Sequence, residues 1–324
     1  MILKEILNKY MSATSFSTVY KKLKPGIVAI VSRISQRPDF PDIIGTGFIA
    51  HEDGIIITNN HVIEAIKKLP RRKGAPDDEW PIRVMYLHDM PGRGVGQLFF
   101  DVEAIATLGR EKPIEGYHYG SDVPDIGFIY VKVKGLPKLE LESTFDLEEG
   151  DEIYTAGYPL GTKTLRAPGW IHQINPVLQK GIISAVQPFP CDKPHGLLIN
   201  IMSQGGASGS PIFNPKTSKV AALLYGGIID WKGIPIQKNI QLPYQNGTAL
   251  TLAIPAYIVS EILEMSLKEL SDKKTGTTIE RDVSRHPTLE HLLKNLPVVI
   301  NTPKEAMKDV EKVPATEIEF PQKS

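Results

Sequence analysis

"GTGFIAHEDGIIITNNHVI", residues 45–63, holds two short runs rich in Ile, Phe and Thr, parted by the polar turn His51 to Gly54. Runs of this length, bounded by Gly, Asp and Asn, read as β-strands. The style repeats on both sides, with "GIVAIVSRI" before it and "PIRVMYLHD", "LFFDVEAIATL" and "IGFIYVKV" after it. A second set follows: "DEIYTAGYP", "QKGIISAVQPF", "GLLINIMS", "SPIFNP", "KVAALLYGGI" and "GTALTLAIP". About twelve strand candidates thus lie between residues 25 and 255, and almost no helix-period segment separates them. The pattern predicts an all-β protein, barrel or sandwich, and argues against alternating βαβ units. No internal repeat is visible.

Outside the strand runs the chain reads as helical or charged. Ile2, Leu3, Ile6, Leu7, Tyr10 and Met11 recur at helical spacing, so residues 1–24 read as an N-terminal helical segment. "PAYIVSEILEMSLKEL", residues 255–270, is the clearest helix: Pro255 suits a first turn, and Ile258, Ile262, Leu263 and Met265 form an apolar stripe. "ESTFD", residues 142–146, separates the two strand sets and is the expected linker. The chain therefore divides into residues 1–24, a first strand set at 25–141, a second set with its closing helix at 142–270, and a charged tail at 271–324. In the tail "LEHLLKNL" is a short-helix candidate, and "TPKEAMKDVEK" has a capping-box pattern in Thr302, Pro303 and Glu305. The tail reads as readily as a loosely packed extension.

Composition narrows the function classes. The 324 residues are 41% apolar and 23% charged, enough for a sizeable core. Lys+Arg and Asp+Glu both number 37, so bulk charge draws the chain neither to nucleic acid nor to an anionic membrane. The single cysteine, Cys191, permits no intrachain disulfide, and its turn-rich loop marks an incidental thiol. No run approaches the roughly 20 apolar residues of a membrane span, and the first residues lack a secretory pattern. A soluble protein is expected, with the cytoplasm favoured.

"IMSQGGASGSPIFN", residues 201–214, strips side chain away from around one hydroxyl, that of Ser208. A serine is a weak nucleophile. It needs a base within hydrogen-bond reach and donors aimed at the oxyanion that forms on attack. Gly205 and Gly206 let backbone N–H groups converge, and Gly209 and Ser210 keep the far side open. Of eight histidines, His61 stands at the end of an apolar strand run among Thr58, Asn59 and Asn60, fixed by the strand yet facing a loop. An imidazole used as a base needs an orienting carboxylate. Asp125 directly precedes the run Ile126 to Val133 and is chosen over Asp122, which lies further out.

"TNNHVI", "DIGFI" and "GASGSP", in that order, resemble the His, Asp and Ser blocks of trypsin-like serine proteases, and those of the HtrA (Do-like) family in particular. "AGYPLG", "QKGIISAV", "LTLAIPAYIV" and "VYKKLKPGIVAI" are similar to further blocks of that family, so the resemblance runs over about residues 18 to 265. It implies two chymotrypsin-like, antiparallel six-stranded β-barrels with flanking N-terminal and C-terminal helices and a site in the cleft between them. His61 and Asp125 would come from the first barrel and Ser208 from the second, with the N–H groups of Gly206 and Ser208 forming the oxyanion hole. Substrate would pair as an extra strand along Leu223, Leu224, Tyr225 and Gly226. Met202, or Ser203 if the alignment slips by one, would floor the primary pocket; neither is an acid, which argues against cleavage after Arg or Lys and for small or medium apolar residues. The implied activity is a serine endopeptidase acting on extended or unfolded polypeptide through an acyl-enzyme, with no metal or organic cofactor. The alternative is a protease-like peptide-binding or chaperone module. Trimers are common in the family through N-terminal segments; residues 1–17, with Tyr10 and Phe16, suit that role or packing on their own barrel.

Departures from the family pattern are small or local. Ala207 excludes the activation ion pair of digestive relatives, and Ser210 and Gly127 each replace one small residue with another. The tail is too short for an ordinary PDZ domain. An α/β-hydrolase is disfavoured because Ser210 stands where its nucleophile elbow needs Gly, and Pro211 follows where a helix should start. A metal enzyme is disfavoured because His286 and His291, five apart, do not share a helix face.

Overall fold

The computed structural model describes residues 16–34, 42–90, 94–108, 123–161, 175–237, 240–271 and 283–294. Twelve strands close into two antiparallel barrels of six. The first comprises β1 (Ile27–Ser32), β2 (Ile43–His51), β3 (Ile55–Thr58), β4 (Ile82–Met90), β5 (Gly94–Thr107) and β6 (Gly127–Val131). The second comprises β7 (Glu152–Gly157), β8 (Val177–Gln187), β9 (Gly196–Ile199), β10 (Pro211–Phe213), β11 (Val220–Gln237) and β12 (Ile240–Pro255). Their orders, β1-β2-β3-β6-β5-β4 and β7-β8-β9-β12-β11-β10, are the same connectivity used twice. Shared topology without a sequence repeat means that the pattern of apolar runs, not particular residues, specifies each barrel.

Three apolar clusters explain why some runs alternate and others are solid. Val28, Ile30, Ile49 and Ile56 fill the first barrel. Ile153, Ile183, Leu197, Ile199 and Ile212 fill the second. The third cluster lies at the junction: Ile27, Ala29, Phe48 and Ile57 meet Tyr158, Phe213, Leu223 and Ile254 of the other barrel. Strands β1 to β3 are thus apolar on both faces, one inside the barrel and one at the junction, and all six residues of β1 are buried. Burying an Ile or Leu fully contributes about 1.5–3 kcal/mol, so the junction is part of the core and not a loose contact. The closing helix, α3 below, adds Tyr257, Ile258 and Ile262 to it.

Among the described residues four α-helices flank the barrels: α1 (Phe16–Leu23), α2 (Asn60–Lys67), α3 (Ala256–Ser271) and α4 (Leu289–Lys294). Helix α1 packs on its own chain: Phe16 stacks on Tyr154 of β7 at 3.9 Å between ring centroids, and Tyr20 Oη donates to Pro176 O. Lys24 then reaches Asp89 of β4 at 2.9 Å, so this segment touches both barrels. Burial, with the Asp89 charge adding, holds the Tyr20 phenol well above the usual tyrosine range. Residues 1–15, the remainder of the expected N-terminal helices, lie outside the described residues.

The described part of the tail is not loosely packed. Lys134 donates its N–H to Pro287 O and accepts from Leu289 N–H at 2.9 Å, and Leu289 is buried with Val133 and Leu136 against the first barrel. The expected helix around "LEHLLKNL" is α4, while "TPKEAMKDVEK" falls outside the described residues. Among the described residues no helix is long and apolar enough to cross a membrane.

The expected boundary between residues 141 and 142 falls in the segment crossing between barrels. Val220 N–H donates to Glu140 O, and Glu142 N–H to Val220 O at 2.9 Å. The Glu142 side chain is buried, and its Oε1 accepts from Asn214 Nδ2 at 2.9 Å and Thr217 Oγ1 at 2.6 Å. Glu142→Ala strands both donors and should cost about 1–3 kcal/mol. A urea midpoint equal to wild type would contradict that anchoring role.

Candidate active site

The sequence suggested that His61 ends a strand. It instead lies in the first turn of α2, because the apolar period changes at Asn59 from every residue to every third or fourth. Val62, Ile63 and Ile66 turn inward, and Asn59 is the extended residue at the helix start. The side chain of Asn59 does not cap the helix. Asp125 fills that place from just before β6: its Oδ1 accepts the N–H of His61 at 2.8 Å, and its Oδ2 lies 2.5 Å from His61 Nδ1. The positive end of a helix favours an anion there. Asn59 Nδ2 donates to Asp125 O at 2.9 Å and fixes the acidic residue's backbone. An ionised carboxylate only accepts, so the pair selects the Nδ1–H tautomer and leaves the Nε2 lone pair available. The imidazole is about half exposed. Asp122, the rejected alternative, is outside the described residues.

Ser208 sits on the loop before β10. A turn joins Ala207 N–H to Gln204 O at 2.9 Å, with Gly206 at φ +94° and Gly209 at φ +87°. Both angles favour glycine, and a Cβ at Gly209 would lie 2.0 Å from Thr46 O. Ala207 is buried in the second barrel's interior, so apolar packing holds the loop. Ser210 Oγ donates to Ala207 O at 2.6 Å, a bond that a glycine there would lack. No described residue accepts a hydrogen bond from the N–H of Gly206 or Ser208. A Cβ placed on Gly45 would lie 3.0 Å from Val62 Cγ1 and 3.5 Å from Ser208 O, so the start of α2 and the serine loop close in on the same residue of β2. The structure joins His61 to Asp125 and sets Ser208 on the facing loop, with no hydrogen bond between Ser208 and His61.

The residue that spaces these two halves was missed in the sequence. Thr46, fully buried in β2, donates its N–H to Ser208 O at 2.9 Å and its hydroxyl to Gly206 O at 2.7 Å. That hydroxyl also accepts Tyr158 N–H at 3.0 Å, and Thr46 O accepts Thr58 Oγ1 at 2.8 Å, one residue before Asn59. One side chain thereby fixes the serine loop against the strand that leads to His61. The only signal was a polar residue inside an apolar strand run, which does not name its partners. Thr46→Val keeps the shape but orphans Gly206 O and Tyr158 N–H, so it should cost about 1–3 kcal/mol and lower turnover, while Thr46→Ser retains both. Equal midpoints and rates for all three proteins would overturn this.

The expected pairing edge is shorter than the sequence implied. Leu223 is paired with Pro211 and Ile254, and Leu224 uses its N–H on Ser210 O and its carbonyl on Gly209 N–H. Both side chains are buried. Only Tyr225 and Gly226 of the four lie beyond the β10 pairing. Burial first, then the Asp125 charge, holds the Tyr225 phenol above the usual tyrosine range. Met202 is 48% exposed, with its sulfur beside Gln204 Nε2, while Ser203 O borders Gly227. Among the described residues no group of His, Cys, Asp or Glu could hold a metal ion.

Two six-stranded barrels with this His–Asp pair and serine loop at their junction define a trypsin-like peptidase architecture. The family model of the trypsin-like peptidase domain matches residues 45–223, more than half of the chain, and the chain belongs to that family of serine proteases. Its similarities run to HtrA-type members. It is 27% identical over 172 residues to a probable periplasmic serine endoprotease, DegP-like, of Halomonas elongata; the match takes 53% of this chain and 27% of that protein's length. Solved structures similar to it include the serine endoprotease from Yersinia pestis (TM-score 0.46, 14% identity, 79% of this chain and 68% of that one). Another is the HtrA-type protease AlgW with tripeptide (TM-score 0.46, 16% identity, 79% and 64%). The curated relative's name places it in the periplasm, which gives the expected cytoplasmic location no support.

Proposed function

We propose that the chain is a serine endopeptidase that cleaves extended or unfolded polypeptide through a Ser208–His61–Asp125 triad. Ser208 Oγ attacks the scissile carbonyl while His61 Nε2 takes its proton and later returns it to the leaving amine. Asp125 stays ionised and stabilises the imidazolium. The N–H groups of Gly206 and Ser208, which bond to no described residue, receive the oxyanion, each such donor being worth about 2.7–4 kcal/mol in the transition state. Water then releases the acyl group from Ser208 by the same route in reverse. The observation that carries the reading is the double use of Asp125, which binds both the backbone N–H and the ring Nδ1 of His61.

Substrate pairs with β11 from Tyr225 onward, and the pocket beside Ser203 and Gly227 takes a small or medium apolar side chain. Digestion of an unfolded protein, with the cut sites mapped by mass spectrometry and Ser208 probed by a fluorophosphonate, tests both activity and specificity. Cuts concentrated after Arg or Lys would reject the pocket assignment. One observation favours a second reading, a peptide-binding module with little catalysis: Ser208 and His61 do not hydrogen-bond at rest. Absence of labelling and of cleavage, with peptide binding retained, would select it. A trimer is the assembly that the HtrA similarity suggests, and mass in solution decides it.

A further inference from the structure

Strands β11 and β12 outrun their barrel. On β11 the pairing with β10 ends at Leu223, and on β12 the pairing with β9 spans only Thr251 to Ala253. The two strands nevertheless continue to pair with each other from Ile229↔Gly247 out to Gln237↔Ile240. Thr248 Oγ1 donates to Ile228 O at 2.8 Å where the register slips, joining the two strands at the root of this ribbon. Beyond that point no other described strand pairs with the ribbon. A two-stranded ribbon alone in water is marginally stable, so a third strand would add to its stability. At its root Ile228 and Ile229 are 36% and 49% exposed.

The two outer edges are not equivalent. Proline is tolerated inside a paired strand where its missing N–H faces away from the partner. Pro243 stands mid-ribbon on β12, opposite Gly233, and so interrupts the outer edge of that strand. On β11 the corresponding proline, Pro235, comes near the tip, opposite Gln241. The stretch from Tyr225 to Ile234 contains no proline, and it begins beside the Ser208 loop.

We propose that substrate pairing does not stop at Gly226: the outer edge of β11 from Gly227 to Ile234 binds the more distant part of the substrate segment on the amino-terminal side of the scissile bond as a third ribbon strand. The direction follows from antiparallel pairing, the more stable kind and the one used throughout both barrels. A chain running opposite to β11 enters at Ile234 and reaches Ser208 with its carboxyl-directed end. The ligand class is a long extended polypeptide, read through its main chain, with side-chain tolerance and a bias toward β-branched and aromatic residues. A folded helix or a short peptide forgoes this contact. The inference rests on the peptide-cleaving reading above for its placement of the scissile bond.

The test is a nested series of labelled peptides that share one cleavable segment and carry about 4, 8 or 12 residues before the scissile bond. Binding is measured by anisotropy on the Ser208→Ala protein. Affinity should rise about tenfold or more between the shortest and the middle peptide and then level off. Replacing Asp230 to Asn246 by an Asn-Gly turn, which joins Ile229 to Gly247, should bring the long-to-short affinity ratio close to one. Gly233→Pro removes an N–H that shares the outward phase of Pro235 and should lower the ratio with the ladder intact. Affinity independent of length, or a ratio unchanged in both variants, overturns the proposal. Self-association in sedimentation that vanishes with the shortened ribbon, without length dependence, assigns the edge to a second copy and also overturns it. Cleavage of the shortest peptide by wild type but not by Ser208→Ala scores the catalytic reading separately, since the binding series needs no turnover.

Discussion

Ser208→Ala should lower kcat on an unfolded protein by about a million-fold while the fold persists, the scale seen when a triad member is removed from a serine protease. The change removes one oxygen from a loop held by other groups. Ala207 stays packed in the second barrel, Ser210 Oγ keeps Ala207 O, and Thr46 keeps both Gly206 O and Ser208 O. None of these uses the Ser208 side chain. Circular dichroism and the thermal midpoint should therefore match wild type, and peptide binding should survive. Cleavage at the same sites within about tenfold of wild type would end the case for this serine, because no oxyanion loop retains that rate without a nucleophile.

Asp125→Asn should cost about ten-thousand-fold in kcat. The carboxylate now does two things. Oδ1 receives the α2 backbone at His61 N–H, and Oδ2 faces Nδ1 of the ring. An asparagine keeps a carbonyl oxygen for the first task, so the helix start should hold and the midpoint should change little. For the second task it presents an N–H, which selects the Nε2–H tautomer and leaves no lone pair toward Ser208. Loss of rate without loss of fold is the diagnostic combination. A variant within about tenfold of wild type in kcat would show that the imidazole is oriented by something else. A variant that unfolds would show that Asp125 acts first as a helix cap, and Asp125→Glu, which keeps the charge, would then separate the two tasks.

Much of the architecture was legible because strands advertise themselves locally. Each of the twelve apolar runs between turn residues is a strand, and the closing helix begins one residue after Pro255. His61 alone reads equally as a core histidine at a strand end; it was paired with Asp125 because an imidazole base needs an orienting carboxylate, and the structure brings the two side chains into contact. The errors occurred where the period changes within a few residues. "TNNHVI" was taken as strand because its apolar residues directly follow a run of three isoleucines; only Ile66, a turn further on, reveals the helix. The residues after Ile228 were not read as strand at all. Their glycines and prolines look like a loop, and pairing partners up to eighteen positions apart supply what local propensity does not. Leu223 and Leu224 were placed on an accessible edge because a sequence does not say where the neighbouring strand stops.

The sequence by itself determined the secondary structure of both barrels, their order along the chain and the residue types available for acyl transfer, since these follow from side-chain period and from functional groups that each residue carries alone. The tertiary structure decided which faces of β1 to β3 meet the second barrel, that Thr46 spans the serine loop and the strand leading to His61, and where the outer edge of β11 begins. Those are relations between segments far apart in the chain, and they come into existence only when the barrels close and bury both faces of the same strands.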